Sequence, residues 1–347
     1  MNCSGPNGPE YRVVQLHPAL RCNLKCRHCY SSSGPRNAEE LPASVLMNVL
    51  DGLRAEGFNV ASLSGGEPLL YKDLFTVMKH ARQLGMTVTV TTNGMLLNEQ
   101  RAEQLAENAQ LVAISIDGVP ESHNHMRSHP RAFEKMAKNL ALLRHARIPF
   151  GFIFTLTLYN LDELAWVAQF AREQGARLLQ VHPLEEEGRA GNELQGAAPD
   201  ELEIAHAFIE VARLQNLYTG QLTIQFDAAD RNTLAADPAR GFAIDPLPNA
   251  AELLLAALVA PLVLEHDGAL VPFQYGVARD FQIAHAGLPD FAGQISRWKL
   301  TGYPRLMQLC SRVYEQHLDP GGFQYPFFNW YSAVLRSSQQ EQLVQIA

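Results

Sequence analysis

Six short apolar segments alternate with amphipathic helical ones over the first two-thirds of the chain. This alternation restricts the fold more than any other feature. The strand candidates are Arg12–Leu16, Val60–Ser64, Thr87–Thr92, Leu111–Ile116, Phe150–Thr157 and Leu178–His182. Pro42 opens the first helix, with Val45, Val49, Gly52 and Leu53 as its buried stripe. Leu74, Val77, Met78, Ala81 and Leu84 mark the second helix, and Phe133, Met136, Leu140 and Leu143 a later one. Asn160 with Glu163 resembles a capping box, and 200–215 reads as a further helix. Near-continuous apolar strands joined by helices predict a parallel sheet with helices outside it. Six units are too few for a closed eight-fold barrel. The expected fold is α/β, a partial (β/α)6 TIM-like barrel with a smaller C-terminal α+β domain, its chemistry at the carboxyl ends of the strands.

The 347 residues divide into a tail (1–10), the barrel (11–226), a connecting segment (227–249) and a C-terminal domain (250–347). Hydrophobic residues make up 47% and charged residues 18%, which excludes a disordered chain. The net charge of -8 argues against nucleic acid as a partner. Residues 1–10 are polar and carry no apolar signal segment, and the longest apolar run, Leu253–Leu264, is broken by Pro261 and too short to span a bilayer. No membrane partner and a cytoplasmic location are expected. Leu262–Phe273 reads as a hairpin turning at Asp267-Gly268, and Tyr303–His317 and Phe327–Val344 as helices.

Three of the 5 cysteines, Cys22, Cys26 and Cys29, follow the first strand in a CxxxCxxC spacing. An odd, clustered set is not a disulfide framework and reads as a metal site in a reducing compartment. Three thiolates suit a [4Fe–4S] cluster with one open iron; the alternative is zinc, with His28 as a fourth ligand. Polar motifs end the next three strands: Ser64-Gly65-Gly66-Glu67-Pro68, Thr91-Thr92-Asn93-Gly94 and Ser115-Ile116-Asp117-Gly118. Glycines there let a ligand approach the backbone, and Glu67 with exposed carbonyls suits an ammonium group.

In this order the motifs resemble those of the radical S-adenosylmethionine (radical SAM) superfamily, over roughly residues 11–190. Within it the chain is similar to the branch of anaerobic sulfatase-maturating, molybdenum-cofactor and peptide-modifying (SPASM/twitch-type) enzymes. The resemblance implies that Cys22, Cys26 and Cys29 ligate a [4Fe–4S] cluster and that S-adenosylmethionine chelates its open iron. Ser64, Gly65, Gly66 and Glu67 would hold the amine, and Ser115 and Arg127, twelve residues apart, the ribose and carboxylate. Thr92 and Asn93 would lie beside the ligand, with Tyr30 and Leu184 flanking the adenine. Reductive cleavage to a 5′-deoxyadenosyl radical, which abstracts hydrogen from substrate, is the implied activity. It needs a one-electron reductant such as flavodoxin or ferredoxin.

Leu264–Phe273 is similar to the entry hairpin of SPASM/twitch domains, with Phe273 where those have a cysteine. Only Cys3 and Cys310 remain for a second cluster, too few, so a SPASM-like domain without its clusters is expected. Candidate substrate-side residues are Cys310, as a hydrogen-atom donor or a buried core thiol, Asp117, as a catalytic or turn-forming group, and His182 at the end of the sixth strand. His123, His125 and His129 read as solvent-facing or structural, with His123 able to orient Arg127, and Glu185–Glu187 as a solvated acidic run. The favoured substrate is a ribosomally made peptide, modified or epimerised, with a separate peptide-recognition protein as a further partner. The alternatives are a small molecule (sugar, nucleoside or cofactor precursor) and a non-catalytic zinc or Fe–S protein.

Overall fold

The structure, a computed structural model, describes residues 10–318 and 324–346; Cys3 lies outside the described residues. The strands are β1 (Val13–Leu16), β2 (Val60–Leu63), β3 (Thr87–Thr92), β4 (Leu111–Ile116), β5 (Phe150–Leu156), β6 (Leu178–Pro183), β7 (Thr223–Phe226), β8 (Ala229–Asp230), β9 (Leu262–Leu264), β10 (Ala269–Pro272), β11 (Ala284–His285) and β12 (Phe327–Phe328). The helices are α1 (Ala43–Ala55), α2 (Leu74–Gln83), α3 (Glu99–Asn108), α4 (Pro120–Met126), α5 (Ala132–His145), α6 (Leu164–Glu173), α7 (Ala190–Glu193), α8 (Glu201–Leu217), α9 (Arg231–Ala236), α10 (Leu255–Leu258), α11 (Phe291–Leu318) and α12 (Trp330–Ile346).

One sheet runs β11-β10-β9-β1-β2-β3-β4-β5-β6-β7, parallel from β9 to β7. Its edges, β11 and β7, do not pair, so the barrel stays open. The six expected strands form within about a residue of their expected bounds. Two more parallel strands join them. β7 is a short edge strand, too polar to stand out from the sequence, and β9 pairs with β1 through Val14–Leu262 and Leu16–Leu264. The hairpin β9–β10 turns around Asp267-Gly268 as its sequence predicts, but as an extension of the barrel sheet. The segment 227–249 also holds β8 and α9, and β8 pairs with β12.

The strands are less uniformly apolar than expected. In β3, Val88, Val90 and Thr92 are buried while Thr87, Thr89 and Thr91 are half-buried; β4 repeats this with Val112, Ile114 and Ile116 against Ala113 and Ser115. The buried set shares one core with Leu74, Val77 and Met78 of α2 and Met136, Leu140 and Leu143 of α5. The other set makes a half-open, mostly polar face, with Ser62 beside Thr89, Ser115 beside Ile153 and Thr155 beside His182. An open barrel does not fill its inner face with side chains, so that face keeps polar residues in contact with solvent.

Two local expectations change. The buried stripe of α1 is Leu46, Val49, Leu50 and Leu53, one residue around the helix from the expected one. Asn160 and Glu163 do not box the start of α6. Asn160 instead donates to the Asp117 and Thr155 carbonyls, and Glu163 accepts from Val119 N and Ser122 Oγ, so both tie the β5 loop to the β4 loop. A true capping box opens α8, between Asp200 and Glu203. Among the described residues no helix is long and apolar enough to cross a membrane.

A buried ion pair fastens α11 to the barrel. Lys299 Nζ lies 2.7 Å and 3.0 Å from the two carboxylate oxygens of Glu56, which also accepts from Leu255 N. Lys299→Ala strands the carboxylate, and urea unfolding should show a loss of about 2–3 kcal/mol, below that of a fully buried pair because Glu56 keeps some solvent. The double variant Glu56→Gln/Lys299→Met should recover most of it; no recovery would show that the lysine stem, not the charge, carries the effect.

Candidate functional site

The cysteine loop runs from His17 to Leu41; single bridges between Ala19 and Glu40 and between Arg21 and Gly34 close it on itself, and neighbouring loops hold the rest. Gly66 N donates to Ala19 O and Glu67 N to Arg21 O, each at 2.9 Å. A Cβ on Gly66 would overlap the Arg21 carbonyl, and one on Gly65, where φ is +108°, would lie 2.7 Å from Ala19 O. What comes so close to these glycines is the chain's own backbone. Arg27 N donates to Met126 O, Asn93 Nδ2 to Asn23 Oδ1, and Arg189 N to Cys29 O.

The three thiols are free, and Cys26 and Cys29 lie near enough to raise the proton affinity of Cys22, as Cys29 does that of Cys26. Burial, then the Glu67 charge, pushes Cys22 up to about 12; burial also raises Cys26. Each sulfur has a donor: Leu24 N at 3.4 Å from Cys22 Sγ, Arg127 Nη1 at 3.7 Å from Cys26 Sγ, and Ser33 N at 3.3 Å from Cys29 Sγ. Hydrogen bonds to sulfur are a means by which proteins stabilise cluster thiolates, so the donor set fits a [4Fe–4S] cluster. Among the described residues no three His, Cys, Asp or Glu side chains are gathered as ligands of a single metal ion. His28, the fourth ligand of the zinc alternative, turns to Asp117, with Nε2 3.5 Å from Oδ1, and burial lowers its pKa to about 4.

Beneath Cys26 lies a buried ion pair. Arg127 grips Asp117 through Nε at 2.5 Å and Nη2 at 3.0 Å. His123 Nδ1 accepts from Asp117 N, and its ring edge meets Phe133. Burial opposes the Asp117 charge, but Arg127, His28 and His123 together hold the carboxyl below its ordinary range. Asp117 is fully buried, and both of its carboxylate oxygens accept from Arg127. His123 is equally buried and braces the pair. Of its two neighbours, His125 meets Arg27, and His129 accepts from Arg131 N.

Glu67 is also committed. It accepts from Leu69 N and Thr92 Oγ1 at one oxygen and Asn93 N at the other, so it knots the β2 and β3 loops and keeps little capacity for an ammonium ligand. Thr92 and Asn93 are therefore buried parts of that knot. Ser64 is buried at the end of β2, and Ser115 is half-buried on the open face. Tyr30 packs against both His17 and Tyr275, at ring distances of 5.9 Å and 5.5 Å, and burial raises its hydroxyl pKa. Leu184 packs with Met126, Ala190, Leu194 and Ala197 in a small separate core.

His182 stands on the open face, 3.0 Å from Asp227 and 3.5 Å from Glu185. Burial pulls its pKa down, but these two carboxylates raise it to about 10. Cys310 is fully buried in the main core on α11, with its thiol pKa raised by burial, and the structure does not bring it to the triplet. Phe273, at the position of the missing cysteine, is buried against Phe242 and Tyr331.

Sequence reasoning missed His17, Arg189, Tyr275 and Asn23. His17 and His182 end strands alike, and the strand-end rule applied to His182 would have found His17. It is fully buried, with no hydrogen-bond partner for either ring nitrogen among the described residues, and burial lowers its pKa to about 3. Tyr275 comes from the loop after β10 and hydrogen-bonds His266 at 2.9 Å. Only the pairing of β9 with β1 brings it here.

An open parallel barrel with a cysteine loop at its carboxyl rim defines a class, and comparison agrees. Residues 16–171 match the model of the Radical SAM superfamily. The chain is 35% identical to the AdoMet-dependent heme synthase of Methanosarcina barkeri over 58% of its own length and 59% of the relative's. It is 31% identical to the sporulation killing factor maturation protein SkfB of Bacillus subtilis, over 49% of this chain and 42% of that one. The chain thus spans about half the length of the curated relatives it matches. Its fold is similar to that of anSMEcpe with bound AdoMet and Cp18Cys peptide, with a TM-score of 0.64 at 18% identity, over 96% of this chain and 98% of the other.

Gly66→Ala forces Arg21 away and should cost roughly 1–3 kcal/mol in urea unfolding. A midpoint equal to wild type would mean that the loop is not packed against β2. The imidazole of His182 should titrate far above 6.5 by NMR. Its bridge to Asp227 and Glu185 then contributes fully below pH 6.5 and is lost as pH rises toward about 10. Titration near 6.5 would remove the bridge.

Proposed function

We propose that the protein is a radical SAM enzyme with one [4Fe–4S] cluster, which acts on a ribosomally made peptide. The observation that carries the first part is the set of three free thiols in one loop, each with a donor aimed at its sulfur. Cys22, Cys26 and Cys29 hold the cluster. When bound, it supplies the electron that cleaves S-adenosylmethionine to methionine and a 5′-deoxyadenosyl radical. The backbone at Ser64–Gly66, with Ser115 and Arg127, would hold S-adenosylmethionine. Arg127 keeps its charge because Asp117 neutralises the cost of burying it. Residues 250–347 are a SPASM-like module in which aromatic packing around Phe273 replaces metal. An external one-electron reductant and a cytoplasmic location complete this reading.

The substrate assignment rests on the rim. Glu185, Glu187 and Asp227, offset in part by the His182 cation that Glu185 and Asp227 flank, leave the ends of β6 and β7 net acidic, which suits a carboxylate-bearing porphyrin less than a peptide. The relative SkfB and the peptide-bound anSMEcpe favour the same class. A second reading, modification of a cofactor precursor, is favoured by the heme synthase relative.

Anaerobic reconstitution with iron and sulfide should give a brown protein that forms 5′-deoxyadenosine from S-adenosylmethionine and dithionite. Ala at Cys22, Cys26 and Cys29 should abolish both colour and cleavage. A colourless protein that binds zinc and cleaves nothing would sink the reading. Deuterium transfer from a labelled precursor peptide, or from a labelled tetrapyrrole, into 5′-deoxyadenosine separates the two substrate classes.

A further inference from the structure

After β6 the chain turns back over the cysteine loop. Gly188, at φ +56°, is so close to Tyr30 that a Cβ would overlap the Tyr30 carbonyl. Arg189 follows. Its backbone N–H donates to Cys29 O at 2.9 Å, Nη1 to Cys26 O at 2.6 Å and Nη2 to Ser33 O at 2.7 Å. One side chain therefore spans the segment that carries Cys26 and Cys29. Ala190 and Leu194 anchor the turn by packing on Met126 and Leu184, and Glu193 pairs with Arg27 within the loop. Arg127 has its charge matched by Asp117; among the described residues Arg189 makes no ion pair, and its partners are neutral carbonyls. Its charge is felt at His28, between two of the cysteines.

We propose that Arg189 is a positioning residue for the cysteine triplet: it locks the loop by bridging Cys26 O and Ser33 O, and its unmatched positive charge raises the reduction potential of the cluster held there. This rests on the reading that the triplet holds a [4Fe–4S] cluster. A fixed cation beside thiolates stabilises the more negative, reduced state, and hydrogen bonds around a metal site tune both affinity and potential. Lysine keeps the charge, but one ammonium does not reproduce the planar fork that spans two carbonyls. Glutamine keeps donors and removes the charge.

The test uses the full reconstituted chain as wild type, Arg189→Lys and Arg189→Gln, with a redox titration followed by electron paramagnetic resonance and the rate of cluster loss to an iron chelator. Arg189→Gln should shift the one-electron equilibrium about tenfold toward the oxidised cluster, or ~59 mV more negative. It should also lose the cluster roughly tenfold faster, as for one lost charge-assisted hydrogen bond. Arg189→Lys should keep the wild-type potential and still lose the cluster faster. Melting of the metal-free proteins checks that the variants fold. A potential in Arg189→Gln equal to wild type overturns the proposal, as does equal cluster retention in all three. A wild type that takes up no cluster sinks the reading of the triplet instead.

Discussion

The close approach of the backbone at Ala19–Arg21 to that at Gly65–Gly66 is the contact on which the rest of the mouth depends. The cysteine loop has only two single bridges of its own, and ordering irregular backbone costs conformational entropy at every residue. Two backbone hydrogen bonds at 2.9 Å fix its entry to β2, and they form only because Gly65 and Gly66 have no Cβ in the way. Asn23, Arg27 and Cys29 then find partners on three further loops. The thiols end up together because four strand ends hold one loop.

Charge beneath the loop follows the same logic. A lone buried guanidinium would be expensive, and so would a lone carboxylate. Asp117 and Arg127 remove both penalties and leave Nη1 pointed at Cys26 Sγ. His28 and His123 sit on the same carboxylate as neutral rings, so the network carries little net charge. Arg189 reaches the loop from the turn after β6 and carries the unmatched charge.

Much of the fold was legible because its pattern is local. Six strands and most helices follow from apolar spacing over a few residues, and the turn at Asp267-Gly268 from its dipeptide. The short polar edge strand β7 and the pairing of β9 with β1 were not, because four or three residues carry too little pattern and the partner lies more than two hundred positions away. The site divides similarly. The rim motifs announced themselves, but the roles of Glu67, Asn160 and Glu163 did not. Glu67 reads in sequence as open to an ammonium group and Asn160 with Glu163 as a capping box, yet each is spent on a neighbouring loop.

The sequence by itself determined the parallel αβ framework, the cysteine triplet and the polar strand ends, since periodicity and spacing are properties of short segments. Only the tertiary structure decided what those groups face. Asp117 turns inward to Arg127, Cys310 lies in the core, Tyr275 arrives from the C-terminal hairpin, and Arg189 bridges the cysteine loop. Those outcomes depend on which loops meet, and burial then selects the partner: a charged or polar group removed from water must find its complement in whatever backbone or side chain the fold has brought beside it.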